Sequence, residues 1–340
     1  MGVLLLGGVL LGIAGGAWVY SVLWQSNLPR LAEPFHLKIP TGTTFEELVG
    51  LLEREDLLLR PATFRRAAAW LEFDRPTVRA GRFALAGGWS NARLIRHLRD
   101  GKQTPVNVVL THGRLVEDVA EKAARFIEPD SAELMRAMRD PALLRELGFD
   151  TTTLMAMFVP NTYELYWNTR PEDFLRRMRR EYDRFWERDE RALLAAAQQL
   201  TPVEVYTLAS IIERETNHHP EKPRMAGVYL NRLRTPGWKL EADPTSVFAT
   251  RDFATKRVTH YHLNFDSPYN TYVYPGLPPG PISMAGIPSI DAVLHPETHG
   301  YFFFVSRGDG SGAHRFSTTL AGHNQNIVIY KRNLRQRGIR

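Results

Sequence analysis

The pattern of apolar and polar positions divides the chain into segments of different character. Residues 3–24 form one apolar run without a charged side chain. Short alternating stretches, which indicate β-strands, then precede stretches in which apolar residues recur every three or four positions, which indicate helices. Beyond Thr201, a helical region gives way to long stretches rich in Pro, Gly, Tyr and Asn. This mixture predicts an α+β fold that follows an N-terminal apolar helix.

The apolar run is long enough to cross a bilayer, since about 22 helical residues span about 33 Å. Trp18, Tyr20 and Trp24 cluster at its C-terminal end, where interfacial aromatic residues are common. We predict a transmembrane anchor at residues 1–25 rather than a cleaved signal peptide, which would carry a basic leader. Basic residues follow the run and none precedes it, so the positive-inside rule alone favours a cytoplasmic position for the rest of the chain.

A strand–turn–helix pattern occurs twice, at residues 35–55 and again at residues 106–126. In the first copy Thr43 or Thr44 is placed to cap the helix, and acidic residues occupy its first turn, where the helix dipole favours them. The repetition predicts paired small α+β modules, although two amphipathic helices also resemble each other by chance.

The pattern of apolar and polar residues in the rest of the chain predicts where the modules end. Strongly helical stretches cover residues 131–147 and 171–199, and helices are expected at 203–217 and 222–233. A strand at Tyr301–Val305 and a helix from Ala321 close the chain. The predicted division is an anchor at 1–25, a small α+β module at 34–104, a second α+β module with a helical connection at 105–200, and a mixed α+β domain at 201–335.

The helix VEVYTLASIIERET carries the first candidate chemistry. Val205, Leu208, Ala209 and Ile212 repeat at helical spacing and define a buried stripe. At about 100° per residue, the next residue, a glutamate at position 213, falls on the edge of that stripe, while the glutamate at 215 points about 200° away from it. An apolar surface favours the neutral carboxyl group, which a general acid requires. A surface helix whose acids pair with arginines has the same spacing.

The loop region adds polar and aromatic groups. Glu241-Ala-Asp-Pro-Thr245 is an acidic turn, and Ser267-Pro-Tyr-Asn-Thr-Tyr272 supplies rings and an amide. Tyrosine rings stack on sugar faces and amides bond hydroxyl groups, so this composition suits a sugar polymer. An ordinary structured loop has the same composition.

Charge and motifs exclude several classes of protein. The net charge of +6 suits an anionic polymer or an acidic membrane surface, although solvated arginine faces explain it equally well. The sequence contains no run of basic residues that would indicate a nucleic-acid-binding tail. Cysteine is absent, which excludes thiolate zinc sites, a cysteine nucleophile and a lipoprotein anchor. No H-E-x-x-H, G-x-S-x-G, phosphate-loop or dinucleotide motif occurs, so we expect no metal, no cofactor and no nucleic-acid partner.

Eight segments in this order resemble the endolytic murein transglycosylase family (MltG/YceG-like). They cover nearly all of the chain after the apolar run: IPTGTTFEELVGLLE, VRAGRFALAGGWSNARLIRHLRDG, VPNTYELY, LASIIERET, VYLNRL, LEADPT, SPYNTYVYPGLPPGPI and YFFFVSRGDGSGAHRFSTTLAGHN. Any one of them is a weak signal, whereas the ordered set is specific.

The resemblance implies a single-pass inner-membrane protein with its bulk outside the cytoplasm, a LysM-like module within residues 34–104 and a catalytic domain from about residue 201. It implies an enzyme that cuts the MurNAc–GlcNAc β-1,4 bond of peptidoglycan glycan strands to give 1,6-anhydro ends, ends nascent strands and works beside cell-wall synthases. The family's catalytic glutamate falls on Glu213, with Glu215 as a structural partner. Substrate-binding residues are expected on the matching segments: Glu215, Asn231, Asp243, Thr245, Tyr269, Asn270 and Tyr272.

The sequence departs from the family pattern at three places. Glu241 replaces a frequent Gln, Ala156-Met157 replaces a Glu-Gly pair, and residues 283–286 replace an Asn-Pro-Gly segment. These changes concern substrate detail. Two other functions fit the residues: a non-catalytic peptidoglycan-binding scaffold, and a metal-dependent hydrolase that uses the C-terminal histidines.

Overall fold

The computed structural model describes residues 2–339, with side chains described for residues 8–339. The chain forms two compact units. The first comprises Met1–Val108, Phe126–Pro129 and Glu164–Arg170, and the second comprises the remaining segments, Val109–Arg125, Asp130–Tyr163 and Pro171–Arg340. The four-part division predicted from the sequence stays a prediction.

The first unit joins a small antiparallel sheet to short helices. Along the chain the elements are α1 (Gly2–Leu23), β1 (Phe35–Ile39), α2 (Phe45–Arg54), α3 (Pro61–Trp70), β2 (Gly81–Leu85) and α4 (Asn91–Asp100). Strands β1 and β2 pair from Phe35 opposite Leu85 to Ile39 opposite Gly81.

The core of the first unit follows from alternation in the strands and helical periodicity in α2. Leu37 and Ile39 of β1 are buried because they face the same side of the sheet, and Leu48 and Leu52 of α2 pack in the same core. Thr44, one of the two predicted caps, begins α2: its Oγ1 accepts from the Glu47 N–H, and the Glu47 carboxylate accepts from the Thr44 N–H at 2.8 Å.

The N-terminal helix α1 packs at its C-terminal end within the first unit. Val22 is buried, its carbonyl accepts from Asn91 Nδ2 at 2.7 Å, and the Trp18 ring meets the Trp70 ring edge-on. Among the residues that the structure describes, no helix combines the length and apolar content of a membrane span. The predicted anchor at residues 1–25 lies partly outside the described residues, since Met1 and the side chains of residues 2–7 are not among them.

The rest of the chain is mainly helical. After α4 the chain forms β3 (Val106–Leu110), α5 (Val116–Ala124), α6 (Ser131–Met138), α7 (Pro141–Leu147), β4 (Asn161–Leu165), α8 (Pro171–Glu187), α9 (Arg191–Ala197), α10 (Pro202–Glu215), α11 (Lys222–Leu233), α12 (Asp243–Thr250), α13 (His260–Asn264), α14 (Ile287–Leu294), β5 (Phe303–Ser306), β6 (His314–Ser317) and α15 (Leu320–Gln336). Within the described residues the strands pair as three two-stranded sheets, β1 with β2, β3 with β4, and β5 with β6.

The predicted α+β class is confirmed, and both strand–turn–helix copies form, as β1–α2 and β3–α5. The helical stretch 131–147 is two helices because Asp140 caps a new helix that starts with proline. The stretch 171–199 is likewise broken, at Asp189 and Glu190, whose φ angles of 56° and 57° lie in the left-handed region. Helices α12, α13 and α14 and strands β4 and β6 were not predicted.

Candidate active site

Helix α10 holds the candidate catalytic carboxyl group at its C-terminal end. Thr201 caps the helix in a box with Glu204, and Pro202 occupies its first position, so the sequence fixes where the helix begins. The predicted buried stripe is confirmed, since all four of its residues are fully buried. Neighbouring residues such as Ile211 are buried too, and α10 is therefore enclosed on most of its surface.

The Glu213 carboxylate is held by groups from two other helices. Lys222 Nζ, at the start of α11, donates to Glu213 Oε2 at 2.8 Å, and Ser289 Oγ of α14 donates to the same oxygen. Lys222 Nζ also lies 2.8 Å from Ser289 Oγ, so the three side chains form a closed set. Lys222 is only 1 % exposed, whereas the Glu213 side chain keeps 30 % of its surface exposed.

These partners reverse the electrostatic effect that the sequence predicted. Burial raises the pKa of Glu213, as expected for a carboxyl group beside apolar residues. Hydrogen bonds from Lys222, Ser289 and the Gly286 N–H, together with the Lys222 charge, outweigh burial and leave the pKa below its ordinary value. The prediction that apolar neighbours keep Glu213 neutral was therefore wrong, because it did not include a buried cation.

Glu213 borders a cavity of about 460 Å³. One wall comes from the loop after β3 and from α5, including Arg114, Asp118 and Lys122, and another comes from residues 283–286. Among the described residues that line this cavity, none belongs to Glu241–Thr245 or Ser267–Tyr272, the loop segments whose composition suits a sugar polymer. The departure of residues 283–286 from the family pattern therefore lies at the cavity wall.

Glu215 occupies a different environment two residues later. Its Oε1 accepts from the Tyr229 hydroxyl at 2.7 Å, and the Tyr272 hydroxyl donates to Asp243 Oδ1 at 2.7 Å. Burial, and to a lesser extent the Asp243 charge, raise the pKa of Glu215 to about 7. Glu213 and Glu215 have no partner in common among the described hydrogen bonds, in keeping with the predicted divergence of their directions.

Three of the predicted substrate-binding residues bond the protein's own backbone. Thr245 and Asn270 are fully buried. Thr245 Oγ1 donates to the Ala242 carbonyl, and Asn270 Nδ2 donates to three carbonyls of residues 262–265. Asn231 Nδ2 donates to the carbonyls of His299 and Tyr301. Their role toward substrate stays a prediction, and the structure gives them internal partners instead.

Tyr269 lies at a second cavity, of about 180 Å³. Its ring packs 4.8 Å from the Phe248 ring, and burial raises the pKa of its hydroxyl group. Five of the predicted residues thus lie in three places. Glu213 lies at the larger cavity and Tyr269 at the smaller one. Tyr272 bonds Asp243, and the Asp243 charge acts on Glu215.

Two of the described histidines, His262 and His314, bond to carboxylates. His262 Nε2 lies 3.2 Å from Asp252 Oδ2, and His314 Nδ1 lies 3.1 Å from Glu221 Oε2. Within residues 2–339 no group of three or more His, Cys, Asp or Glu side chains is arranged to hold a metal ion.

Sequence analysis did not identify the residues that set the protonation state of Glu213. Lys222 lies nine positions after Glu213, and Ser289 lies 76 positions after it. Lys222 begins a helix with apolar residues on its buried side, and a lysine next to a proline carries no signal of burial. A serine in an apolar octapeptide, Ile287–Leu294, gives as little indication.

Known proteins show where the chain belongs. The model of the YceG-like family matches residues 37–328. An endolytic murein transglycosylase of Bacillus subtilis strain 168 is 25% identical over 330 residues, 92% of this chain and 89% of that protein. One of Streptococcus pneumoniae strain D39 is 24% identical over 348 residues, 93% of this chain and 62% of that protein. A crystal structure of a YceG-like protein from Listeria monocytogenes is similar in fold, with a TM-score of 0.56 and 24% identity over 86% of this chain and 99% of that one. Because the family model spans most of its length, the chain belongs to the YceG-like family.

Proposed function

We propose that this chain is an endolytic murein transglycosylase, a lyase that cuts the MurNAc–GlcNAc β-1,4 bond of peptidoglycan strands and leaves 1,6-anhydro-MurNAc ends. The observation that carries the proposal is the Glu213 carboxylate, which borders a cavity of about 460 Å³ while a buried lysine and a serine hold its orientation. The names of the B. subtilis and S. pneumoniae relatives support the same reaction.

We assign the two oxygens of Glu213 different tasks on the basis of their hydrogen bonds. Both side-chain donors converge on Oε2, so among the described residues Oε1 keeps no side-chain hydrogen bond. Protonated Oε1 donates its proton to the glycosidic oxygen as the bond from that oxygen to MurNAc C1 breaks. The resulting carboxylate takes the proton of the MurNAc 6-hydroxyl as O6 bonds to C1. No water is consumed, and the attack is intramolecular, which lowers its entropic barrier.

One carboxyl group suffices because the sugar supplies the nucleophile, unlike hydrolysis with two carboxylates. Lys222 lowers the pKa of Glu213, which makes the protonated form a stronger acid but reduces its population at neutral pH. A bound strand would cover the exposed part of the Glu213 side chain and raise its pKa through desolvation. We expect proton uptake by Glu213 to accompany strand binding.

Product analysis tests the proposed reaction against its rivals. Purified chain is incubated with glycan strands in ¹⁸O-enriched water, and the released ends are analysed by mass spectrometry. A transglycosylase gives anhydro ends that are one water lighter than hydrolysis products and carry no ¹⁸O. Reducing ends with ¹⁸O would indicate a hydrolase, and intact strands would indicate a binding scaffold. Internal fragments that precede the release of terminal disaccharides would establish endolytic cutting.

The location and partners are proposals as well. We propose that the N-terminal segment anchors the chain in the inner membrane, that the rest lies on the periplasmic side, and that it ends nascent strands beside cell-wall synthases. The uncharged run of residues 3–24 supports the anchor. Fractionation of cells that produce the full chain tests it, since an anchored protein stays with membranes after a high-salt wash.

Residues 34–104, which lie within the first unit, are proposed to form a LysM-like module that contacts glycan. Its small size and its order of strand, two helices and strand around one antiparallel pair support this assignment. Binding of insoluble peptidoglycan by the full chain, with and without substitutions in this unit, tests it.

A further inference from the structure

Arg114 lines both of the cavities that contain predicted site residues. It borders both the cavity of about 460 Å³ that contains Glu213 and the cavity of about 180 Å³ that contains Tyr269. The backbone around it is fixed, because the N–H groups of Arg114 and Leu115 donate to Asp118 Oδ2 at 2.6 and 3.0 Å. The side chain is therefore presented from a rigid loop at the start of α5.

The smaller cavity has an excess of positive charge. Arg114, Arg139 and Arg251 border it, against a single carboxylate, Glu117. Arg139 pairs with Glu117 at 3.0 Å. Among residues 8–339 neither Arg114 nor Arg251 has a carboxylate within ion-pair distance or a hydrogen-bond acceptor for its guanidinium group. Two cations thus border the cavity without a direct anionic partner.

Both unpaired guanidinium groups rest on aromatic rings. The Arg114 guanidinium carbon lies 4.5 Å from the centre of the Phe253 ring, and that of Arg251 lies 4.5 Å from the centre of the Phe248 ring. Stacking leaves the edge of a planar guanidinium free, and that edge matches a carboxylate with two parallel hydrogen bonds. Burial, and next the Arg214 charge, lower the pKa of Arg114, and the Asp118 charge opposes them without reversing the shift.

The anion can be identified from the chemistry of the proposed substrate. The sugar backbone of a peptidoglycan strand carries no charge where each lactyl group is amide-linked to a peptide. The regularly repeated negative charges are therefore the peptide carboxylates, and every MurNAc, including the one at the cut, bears a peptide. The smaller cavity shares Arg114 with the cavity that contains Glu213, so a peptide on a MurNAc near the cut would extend toward it.

We propose that Arg114 and Arg251 bind a carboxylate of the peptide on a MurNAc next to the cut, so that the smaller cavity is a peptide-stem subsite. The inference rests on the proposed function and adds a determinant of specificity to it. Tyr269 and Phe248 form the aromatic wall of the subsite, which gives the predicted binding residue Tyr269 a peptide rather than a sugar to contact.

The test compares kcat/KM for three kinds of strand: strands with peptides, strands stripped of peptides by an amidase, and strands whose peptide carboxylates have been amidated. Wild-type chain is compared with Arg114→Met. Arg180→Met is the control because Arg180 is an exposed arginine of the same unit that borders neither cavity. All strands lack a lipid end, so a lipid pyrophosphate contributes nothing to the comparison.

We expect the wild-type chain and Arg180→Met to prefer native strands over amidated strands by about tenfold or more, the loss expected for a charge-assisted hydrogen bond. Arg114→Met should reduce this preference by a similar factor. The amidated substrate tests the same charge with unaltered protein, so the test stands even if Arg114→Met does not fold.

Equal cleavage of native and amidated strands by wild type, or an unaltered preference in a folded Arg114→Met, would overturn the subsite. A preference that appears only when a lipid pyrophosphate end is added back would assign the anion to that end and also overturn it. No anhydro product from any strand would instead reject the proposed function.

Discussion

Two carboxyl groups on the last turn of α10 differ in protonation because of their partners. Glu213 faces a buried lysine and a serine, and its pKa lies below the ordinary value. Glu215 accepts a hydrogen bond from a tyrosine hydroxyl, and burial raises its pKa to about 7. The pKa values of the two groups are therefore shifted in opposite directions although only Arg214 separates them in sequence.

Lys222 sets the acidity of Glu213, so its removal should move the pH dependence of the reaction. A general acid must be protonated, and kcat/KM falls as pH rises above its pKa in the free enzyme. Lys222→Met removes the opposite charge and should raise the pKa of Glu213. The decrease in kcat/KM, which is the falling limb of the pH profile, should then move to higher pH by about one unit or more. The limb is measured from rates of anhydro-end formation across the pH range in which the chain stays folded.

Lys331→Met is the matched control, since Lys331 is exposed on α15 and its loss should leave the limb in place. Circular dichroism checks that the Lys222→Met chain is folded. Superimposable pH profiles for a folded Lys222→Met chain and the wild type would show that Lys222 does not tune the reacting group.

Glu215 should make the stability of the chain depend on pH. Its folded pKa of about 7 exceeds the ordinary value of 4.5, so between these values the native state binds more protons than the unfolded chain. Stability therefore decreases as pH rises through this window and loses no more from this group above it. Glu215→Gln stays neutral throughout and should weaken the decrease in unfolding free energy between about pH 5 and about pH 7.5.

Urea unfolding followed by fluorescence measures that difference. Glu187→Gln, an exposed change in the same unit, should keep the wild-type pH dependence. A Glu215→Gln chain whose unfolding free energy varies with pH as strongly as that of the wild type would show that Glu215 is not the buried titrating group.

The position of Glu213 was predictable from the sequence, whereas its protonation state was not. Helical spacing placed it beside an apolar stripe, and that stripe is buried. Its pKa depends on Lys222 and Ser289, which reach it from α11 and α14 through tertiary contacts that local spacing does not contain. Likewise, the resemblance implied that Asn270 and Thr245 bind substrate, but no local pattern indicated that both also bond the backbone of their own loops.

Helices with caps and periodic apolar residues were predictable, whereas the short helices of the proline- and glycine-rich stretch were not. Helix α10 has a capping box, a proline at its first position and four turns of periodic apolar residues. Helices α12, α13 and α14 have only eight, five and eight residues, within a stretch rich in proline and glycine. So few residues show no period, and their helical form depends on packing. The undetected α14 supplies both Ser289 and the Gly286 N–H at its N-terminal boundary.

Breaks within helical stretches have local causes that the sequence shows in part. Asp140-Pro141 is a recognisable start signal between α6 and α7. The break between α8 and α9 occurs at Asp189 and Glu190, which adopt left-handed backbone without glycine. Charged residues in a helical pattern give no indication of such a break.

Across the whole molecule, family membership and geometry lead to the same reaction. The family model spans residues 37–328, and Glu213 within it borders a cavity in the second unit. The net charge of +6 suits a polymer that carries peptide carboxylates. Among the described residues, Arg114 and Arg251 border the smaller cavity without a carboxylate within ion-pair distance, and we propose that they give this general attraction a specific location.

The most direct test of the account is the rate of anhydro-end formation by Glu213→Gln beside Glu187→Gln. Both variants lose one carboxylate of the second unit, but only the first loses the proposed acid. We predict that Glu213→Gln lowers the rate of anhydro-end formation by at least about 10²-fold while the chain stays folded, and that Glu187→Gln matches the wild type. Near-normal formation of anhydro ends by a folded Glu213→Gln chain would contradict the account.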